Sequence, residues 1–365
     1  MKHIGTYFFL FLLLFVTSCG ANEETEEKPG KGSSVTDNQI LIEQADFTSS
    51  TMERVKQFQA TTHPTNSSRN GIYVYSKTID KYLDAPEKLA ARIILSGFSE
   101  VYLSTPKSTL CTIQSANFQW MRTFISFLHT YNIQVFALLL SNPRLYTNQD
   151  LLFEDLGNLE LYNQTVHNSE KLDGVMADLE PHTLKSENEQ ALEGLDIYWD
   201  SNNHYGIGKE NDQLLKRTLN ILQRASFELS PLKLKESVSF LYQPKYDEGR
   251  LSYGSTTQFL QQCESVHVMA YYNRAEVIWN RSLPLLEDAN KLYKNAVSVC
   301  VKVSVNTYGD EGNENTSLQP KGWKYLIETL SDIYARGNQH PSFRGMDFFE
   351  YDGLEIMLEN TLDTF

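Results

Sequence analysis

Residues 173–182 read Asp-Gly-Val-Met-Ala-Asp-Leu-Glu-Pro-His, a short apolar run that ends in two carboxylates and an imidazole. In an extended strand, side chains two residues apart share a face. The spacing therefore predicts that Asp178, Glu180 and His182 project together from the end of a buried strand, with Met176 behind them. An apolar strand with polar groups gathered at its carboxyl end is typical of a parallel sheet covered by helices.

The two acids of this stretch are candidates for catalysis. Neighbouring carboxyl groups resist ionising together, and this crowding raises a carboxyl pKa into the range useful for a general acid. The alternative is a structural ion pair between these acids and a Lys or Arg on a neighbouring strand. The strand-end position of Asp178 and Glu180 favours the catalytic interpretation.

Short runs rich in β-branched and aromatic residues recur on both sides of this stretch. They predict strands at 71–76, 100–105, 133–140, 174–180, 236–242, 265–271, 296–305 and 345–351. Helical patterns lie between them at 85–96, 113–131, 210–226, 284–293 and 322–335. Eight strands that alternate with helices predict an α/β fold, a single-domain (β/α)8 TIM barrel. An open doubly wound sheet is the alternative.

A barrel of this type binds its ligands at the carboxyl ends of its strands. Polar and aromatic residues lie at those predicted ends, and Tyr271 ends one of them with a hydroxyl directed to the barrel mouth or, alternatively, into the core. Asp347 and Glu350 lie on the last strand, where alternation allows at most one of them to point inward. The substrate-binding candidates in and near these positions are His182, Trp199, Tyr242, Tyr272, Asn306 and Phe349.

The first eighteen residues are expected to be a signal peptide. Lys2 and His3 precede an apolar stretch at 7–16, and Cys19 follows small residues, a pattern that resembles a bacterial lipoprotein signal with Cys19 as the lipidated residue. An ordinary secretory signal is the alternative. Residues 19–38 are predicted to be a flexible acidic tether, which leaves 39–365 for the barrel domain. The expected location is the bacterial cell envelope, with a lipid anchor in the outer membrane or at the cell surface.

Composition restricts the partners. The formal net charge of −14 argues against nucleic-acid binding, which requires a basic face. Three cysteines remain after Cys19, and Cys300 lies within an apolar strand, where we expect a buried thiol. The sequence contains no Cys/His spacing suited to zinc and no phosphate-binding glycine loop, so neither a metal nor a cofactor is predicted.

With these residues in place, the chain resembles glycoside hydrolase family 18, the chitinase-like barrels. The stretch 173–180 is similar to the family's strand-four motif DGxDxDxE, and it retains Asp178 and Glu180. Met269-Ala-Tyr271 is similar to the family's strand-six Met-x-Tyr, and Phe349 lies near the family's strand-eight Trp. Two departures are Met176, in place of the first Asp of the triplet, and Tyr272, in place of the Asp that follows the family's Tyr.

The resemblance implies a retaining hydrolysis of N-acetylhexosamine glycans in which the substrate assists. Glu180 would protonate the glycosidic oxygen and later activate water, while the sugar's own 2-acetamido oxygen attacks the anomeric carbon. Asp178 would hold the acetamido group, and Tyr271 would hydrogen-bond its oxygen. Met176 removes one like-charged neighbour of Asp178 and changes its coupling to Glu180.

Three hypotheses remain open from the sequence. The first, which we favour, is a cell-surface glycoside hydrolase that uses Glu180. The second is a catalytically inactive glycan-binding lipoprotein on the same barrel. The third is an ordinary two-carboxylate glycosidase, in which Glu180 acts with Asp347, Glu350 or Glu236.

Overall fold

The structure is a computed structural model that describes residues 35–63, 68–184, 192–200, 209–305 and 314–360. Every structural statement below refers to these ranges. The predicted signal peptide, Cys19 and Asn306 lie outside them, as do residues 185–191 and 201–208 of the long segment between the fourth strand and the next helix.

Eight parallel strands form a closed barrel in sequence order, with the last strand paired to the first. This confirms the predicted (β/α)8 barrel and excludes the open sheet. All eight predicted strands are present, although several have shifted ends. The strands are β1 Gly71–Val74, β2 Glu100–Ser104, β3 Gln134–Leu139, β4 Gly174–Ala177, β5 Lys233–Ser239, β6 Ser265–Met269, β7 Val297–Lys302 and β8 Phe343–Phe349.

Helices surround the barrel, and they outnumber those that the sequence pattern predicted. They are α1 Val35–Ala45, α2 Ser49–Thr62, α3 Ser76–Lys81, α4 Pro86–Leu95, α5 Lys107–Cys111, α6 Ala116–Thr130, α7 Asp150–Thr165, α8 Lys209–Leu229, α9 Tyr242–Asp247, α10 Thr256–Leu260, α11 Ala275–Asn290, α12 Trp323–Gly337 and α13 Tyr351–Glu359. The five predicted helices correspond to α4, α6, α8, α11 and α12. Helix α11 begins nine residues before the predicted start at 284, so Pro284 lies inside it. None of the described helices is long and apolar enough to cross a membrane.

Strand β4 ends earlier than the sequence predicted, at Ala177. The backbone N–H of Leu179 donates to the buried Oε1 of Glu236 on β5 at 3.1 Å, so it bonds to a side chain of the neighbouring strand and not to its backbone. Pro181 has no N–H to donate and opens a short 3-10 turn, Pro181–Thr183. Asp178 and Glu180 therefore lie just beyond the strand, at the barrel mouth.

The lower half of the barrel interior is filled by charged and polar side chains. Glu100 accepts hydrogen bonds from Lys235 at 2.8 Å and from Arg344, and all three are buried. Tyr102 donates to Glu100 at 2.8 Å. Burial alone would raise the pKa of Glu100, but the two cations hold it well below its ordinary value. This network occupies the end of the barrel opposite the mouth.

Packing in the lower barrel explains one glycine. A Cβ on Gly71 would lie 2.4 Å from Asp347 Oδ1 and 2.4 Å from the ring of Tyr102. Any side chain at this position would displace the network, so β1 begins with a residue that has none.

Helices α1 and α2 precede the first strand. Helix α1 begins at Val35, inside the segment 19–38 that the sequence assigned to the tether, and packs against α4. Helix α2 contacts α12 and α13. Its Phe58 is fully buried, with its ring 5.1 Å from that of Phe348 on the outer face of β8.

Candidate functional site

A cavity of about 610 Å³ opens at the carboxyl end of the barrel. Its walls come from six of the eight strands and the residues that follow them. Asp178 and Glu180 lie on one side, and Tyr271, for which the sequence allowed either the mouth or the core, lines the cavity together with Phe349. The complete lining is Tyr75, Ser104, Leu138, Leu139, Ser141, Met176, Asp178, Glu180, Met269, Tyr271 and Phe349.

Asp178 is the more enclosed acid of the pair. Its Oδ1 is shielded from solvent and has no hydrogen-bond partner among the described residues. Because burial disfavours the charged form, the pKa of Asp178 is raised to about 6. Within the described part of the chain, Oδ1 of Asp178 therefore does not take part in the structural ion pair with a Lys or Arg that was the alternative to a catalytic role. A carboxyl group in this state can accept a hydrogen bond or supply a proton near neutral pH.

Glu180 is the more open acid, with a third of its side chain exposed (33%). Its Oε1 lies 3.6 Å from Nε2 of His182. The Nδ1 atom of the same imidazole lies 2.7 Å from the hydroxyl of Tyr242. Pro181 and the turn that it opens fix the backbone between Glu180 and His182. This turn places the imidazole of His182 beside the carboxyl group of Glu180.

Two predicted substrate-binding residues lie behind His182 and are almost fully buried. Tyr242 is 2% exposed and Trp199 is 5% exposed. Their ring centroids are 5.7 Å apart, and each ring lies within 6.5 Å of the imidazole of His182. The backbone N–H of Trp199 donates to the carbonyl of Leu184 at 2.7 Å, which closes this segment over the turn. In this position both rings support His182, and neither lines the cavity.

Tyr271 lies across the cavity, next to Phe349. The thiol of Cys300 donates to the Tyr271 hydroxyl oxygen at 3.8 Å. Burial raises the pKa of Tyr271 well above its ordinary value, so the phenol remains protonated and available as a donor. Cys300 is itself fully buried, which confirms the buried thiol expected from the sequence.

Aromatic rings form one wall of the cavity. The Phe349 ring lies 5.5 Å from those of Tyr75 and Tyr271, and 5.6 Å from that of Tyr73. Tyr75 was not among the predicted site residues. The signal was present in Ile72-Tyr-Val-Tyr75, because alternation places both tyrosines on one face and the second at the strand end. Aromatic faces of this kind stack on the apolar faces of sugar rings.

Met176 forms part of the cavity floor. It is fully buried among Tyr73, Tyr102, Phe136 and Cys300, as the alternation of β4 predicted for a residue behind the acids. At 3.8 Å from the Ser237 hydroxyl, its sulfur has only a weak polar contact. The floor beneath Asp178 is therefore apolar.

The other acids that the sequence offered as catalytic partners are buried away from the cavity. Glu236 and Asp347 are fully buried and Glu350 is 2% exposed. Glu236 lies behind the acid pair and accepts a hydrogen bond from the backbone N–H of Leu179 between them. Burial, together with the charges of Asp178 and Glu180, raises the pKa of Glu236 well above its ordinary value. Asp347 points inward to the lower network, where its Oδ1 lies 3.1 Å from the Tyr102 hydroxyl. Burial raises the pKa of Glu350 to about 7.

Ser265, His267 and Asp347 have the order of contacts of a nucleophilic triad. Nε2 of His267 is 2.9 Å from the Ser265 hydroxyl, and Nδ1 is hydrogen-bonded to Asp347. All three residues are fully buried in the lower barrel, so no substrate can reach the serine. We interpret this triad as part of the buried polar network.

The remaining predicted site residues divide into two groups. Tyr272 is partly buried and lies under two guanidinium groups, with Arg281 4.9 Å and Arg274 5.3 Å from its ring centroid, and it does not line the cavity. Asn306 and Cys19 lie outside the described residues. Among the described residues, no group of three or more His, Cys, Asp or Glu side chains has the arrangement of a metal site.

Comparisons with known proteins give distant structural likeness. No family model matches the chain, and no curated protein matches it. Among solved structures, a GH18 chitinase from Cycas revoluta in complex with (GlcNAc)3 has 10% identity and a TM-score of 0.47 over 80% of this chain and 98% of its own. A chitinase from Bacteroides thetaiotaomicron has 12% identity and a TM-score of 0.42 over 80% and 94%. A xylanase-alpha-amylase inhibitor protein in complex with trehalose has 11% identity and a TM-score of 0.40 over 81% and 96%. At these values, the likeness carries no conclusion about substrate or activity.

Proposed function

We propose that this protein is a glycoside hydrolase that cleaves N-acetylhexosamine-containing glycans by substrate-assisted retaining hydrolysis. One observation carries the proposal: Asp178 and Glu180 face one cavity at the barrel mouth, where Asp178 is enclosed with no partner at Oδ1 among the described residues and Glu180 is open. A pair of titratable groups in such unequal environments is typical of an acid/base site.

The cavity supports a defined role for each residue. Glu180 gives its proton to the glycosidic oxygen as the bond to the anomeric carbon breaks, and the sugar's acetamido oxygen forms the new bond to that carbon. Water then loses a proton to Glu180 and forms a bond to the anomeric carbon, while the bond between that carbon and the acetamido oxygen breaks. Asp178 accepts the acetamido N–H and balances the positive charge, while Tyr271 donates to the acetamido oxygen. Phe349 and Tyr75 provide faces for sugar stacking.

The positions of Glu236, Asp347 and Glu350, the described acids that the sequence offered as partners, favour substrate assistance over a two-carboxylate mechanism. A protein nucleophile must reach the sugar from the side opposite the acid. Glu236, Asp347 and Glu350 are buried and do not line the cavity. Asp178 and Glu180 are two residues apart on one segment, and both face the cavity from the same side.

The test replaces Glu180 with Gln, which keeps the shape and removes the acid. We expect hydrolysis of N-acetylglucosamine oligosaccharides to fall by about 10²- to 10⁴-fold, the usual contribution of a general acid. Glu248→Gln is the matched control, because Glu248 is an exposed acid away from the cavity (side chain 47% exposed). Product release by Glu180→Gln at the wild-type rate would contradict the hydrolase proposal.

A glycan-binding protein without activity is the second candidate, and Met176 is the observation that favours it. An apolar floor beneath Asp178 lacks the carboxylate that the resemblance implies there. If wild type and Glu180→Gln bind the same oligosaccharides in calorimetry and neither releases product, the binding function is correct and the hydrolase is wrong.

We also propose that Cys19 is lipidated and anchors the protein to the cell envelope, on the support of the residues that precede it. Expression in a bacterial host with a radiolabelled fatty acid tests this directly. We expect the wild-type protein to incorporate the labelled fatty acid and to be recovered in the membrane fraction, and Cys19→Ala to do neither. Cys111→Ala is the control, which should behave like the wild type. A labelled Cys19→Ala protein would contradict the proposal.

A further inference from the structure

The imidazole of His182 lies between Glu180 and a buried phenol. Its Nδ1 is 2.7 Å from the Tyr242 hydroxyl, within hydrogen-bond range, and its Nε2 is 3.6 Å from Glu180 Oε1. The phenol is held in place because the Tyr242 ring is stacked on Phe259, with centroids 6.2 Å apart. The imidazole is therefore fixed from behind and directed towards the acid.

The groups beside the two ring nitrogens of His182 determine which of them carries the proton. Burial raises the pKa of Tyr242 well above its ordinary value, so the phenol keeps its hydrogen. The carboxylate of Glu180, 3.6 Å from Nε2, favours a hydrogen on that nitrogen, and the phenol hydrogen is then directed to Nδ1 at 2.7 Å. A neutral imidazole that accepts at Nδ1 carries its proton on Nε2.

We propose that Tyr242 and His182 are a positioning pair that presents the Nε2–H of His182 to Glu180 and stabilises its carboxylate form. The catalytic consequence rests on the proposed function, whereas the pair itself does not. Glu180 must exist as a carboxylate after it has given up its proton and while it activates water. A donor beside Oε1 favours that state.

The 3.6 Å separation fits a contact that shortens during the reaction. It is too long for a hydrogen bond and within range of a charge interaction. Catalytic contacts are often longer in the absence of substrate than in the reacting complex. Glu180 on its own turn, Tyr242 on α9 and the neutral ring of Trp199 face His182.

The first test is independent of activity. Nitrogen NMR of the His182 side chain distinguishes an Nε2–H imidazole from an Nδ1–H imidazole. We expect the Nε2–H form in the wild type and a mixture in Tyr242→Phe, which removes only the hydroxyl. Tyr162→Phe is the control, since Tyr162 is another buried phenol, which donates to the Glu170 carbonyl on the outer side of the barrel. An Nδ1–H form in the wild type would overturn the proposal.

The second test measures the contact with Glu180. The carboxylate of Glu180 stabilises protonated His182, so Glu180→Gln should lower the His182 pKa by about one unit, the shift expected from loss of one close opposite charge. The Glu248→Gln control should leave it unchanged. An equal His182 pKa in wild type and Glu180→Gln would show that the two side chains do not interact, and the pair would not act on the acid.

The third test applies if the wild type turns over. Tyr242→Phe and His182→Gln should each lower kcat by about 10- to 100-fold with little change in KM, the range expected for one hydrogen bond to a charged group. Their effects should not add in the double variant, because both act through one contact. Additive decreases in kcat, or a higher KM with an unchanged kcat, would contradict the positioning role. A wild type without turnover would refute the proposed function and leave the NMR results to decide the pair.

Discussion

At the scale of single residues, the enclosed carboxyl of Asp178 has a consequence for stability. Its folded-state pKa of about 6 lies above the unfolded value of about 3.9. The protonated form therefore favours the folded protein. As the pH rises from 4 to 6, Asp178 loses its proton in the unfolded chain before it does so in the folded protein, so the free energy of unfolding falls. Above pH 6 the folded protein bears the full cost of the buried Asp178 charge.

Replacing Asp178 with Asn should therefore stabilise the protein while it impairs the site. We expect the free energy of unfolding at pH 7.5 to rise by on the order of 2 kcal/mol, with no difference from wild type at pH 4. Urea denaturation at the two pH values measures this. Asp196→Asn is a control of opposite sign, because the Arg217 guanidinium beside Asp196 lowers its pKa. A gain for Asp178→Asn that persists at pH 4 would show that burial of charge is not the cause.

The acid pair was predicted from the sequence because alternation within a strand needs only local information. Asp178, Glu180, Tyr271 and Phe349 all line the cavity, although the sequence left Tyr271 open between the mouth and the core. The positions of Trp199 and Tyr242 could not be predicted in this way. Trp199 reaches His182 through a return of the chain after Pro181, and Tyr242 comes from α9 after the next strand, so the local pattern around His182 does not indicate that they cover it.

At the scale of elements, the charged network of the lower barrel joins strands that are distant in sequence. Lys235 on β5 reaches Glu100 on β2, and burial lowers the pKa of Lys235 to about 8 despite the nearby carboxylate. A buried pair is costly to break, because removal of one partner leaves the other charge without compensation.

Lys235→Met should lower the free energy of unfolding by about 3 kcal/mol, since Glu100 retains only Arg344 as a cationic partner. Lys233→Met, two residues earlier on the same strand, is the matched control. Its amine pairs with Glu264 at a partly exposed position, and such pairs contribute about 1 kcal/mol or less. Equal losses in the two variants, measured by urea denaturation, would refute the role assigned to burial.

The strands were easier to predict than the helices. Each strand is a run of apolar and β-branched residues that is evident by itself, whereas the 141–173 segment contains a helix, α7, that the prediction omitted. Its buried residues Leu152, Leu156, Leu159 and Tyr162 follow helical spacing. The polar residues between them obscured the pattern, because only one narrow face of the helix packs on the barrel.

At the scale of the whole molecule, the barrel is supported by a pair of helices that the sequence pattern did not predict. Phe58 of α2 packs against Phe98, Phe348 and Trp323, and so links elements from both ends of the chain. The segment before β1 has no strong hydrophobic periodicity. Its apolar residues become buried by packing against β8 and α12, which lie far away in the sequence.

Phe58→Ala should lower the free energy of unfolding by about 3 to 5 kcal/mol, the usual cost of an empty aromatic position in a core. Phe227→Ala is the control, because that ring is 80% exposed and its loss should change stability by about 0.5 kcal/mol or less. Thermal or urea unfolding measures both. A small loss for Phe58→Ala would show that α2 is only loosely attached to the barrel.

The unsatisfied Oδ1 of Asp178 has a consequence for ligand recognition in solution. Near pH 6 this carboxyl is half protonated, so any ligand that contacts it must change the number of bound protons. A ligand with an N–H donor would favour the anion and release a proton, whereas one with an acceptor or an apolar group would favour the acid and take up a proton. Calorimetry in buffers of different ionisation enthalpy gives the sign of this exchange. The direction of proton flow would thus identify which chemical group of the ligand faces Asp178.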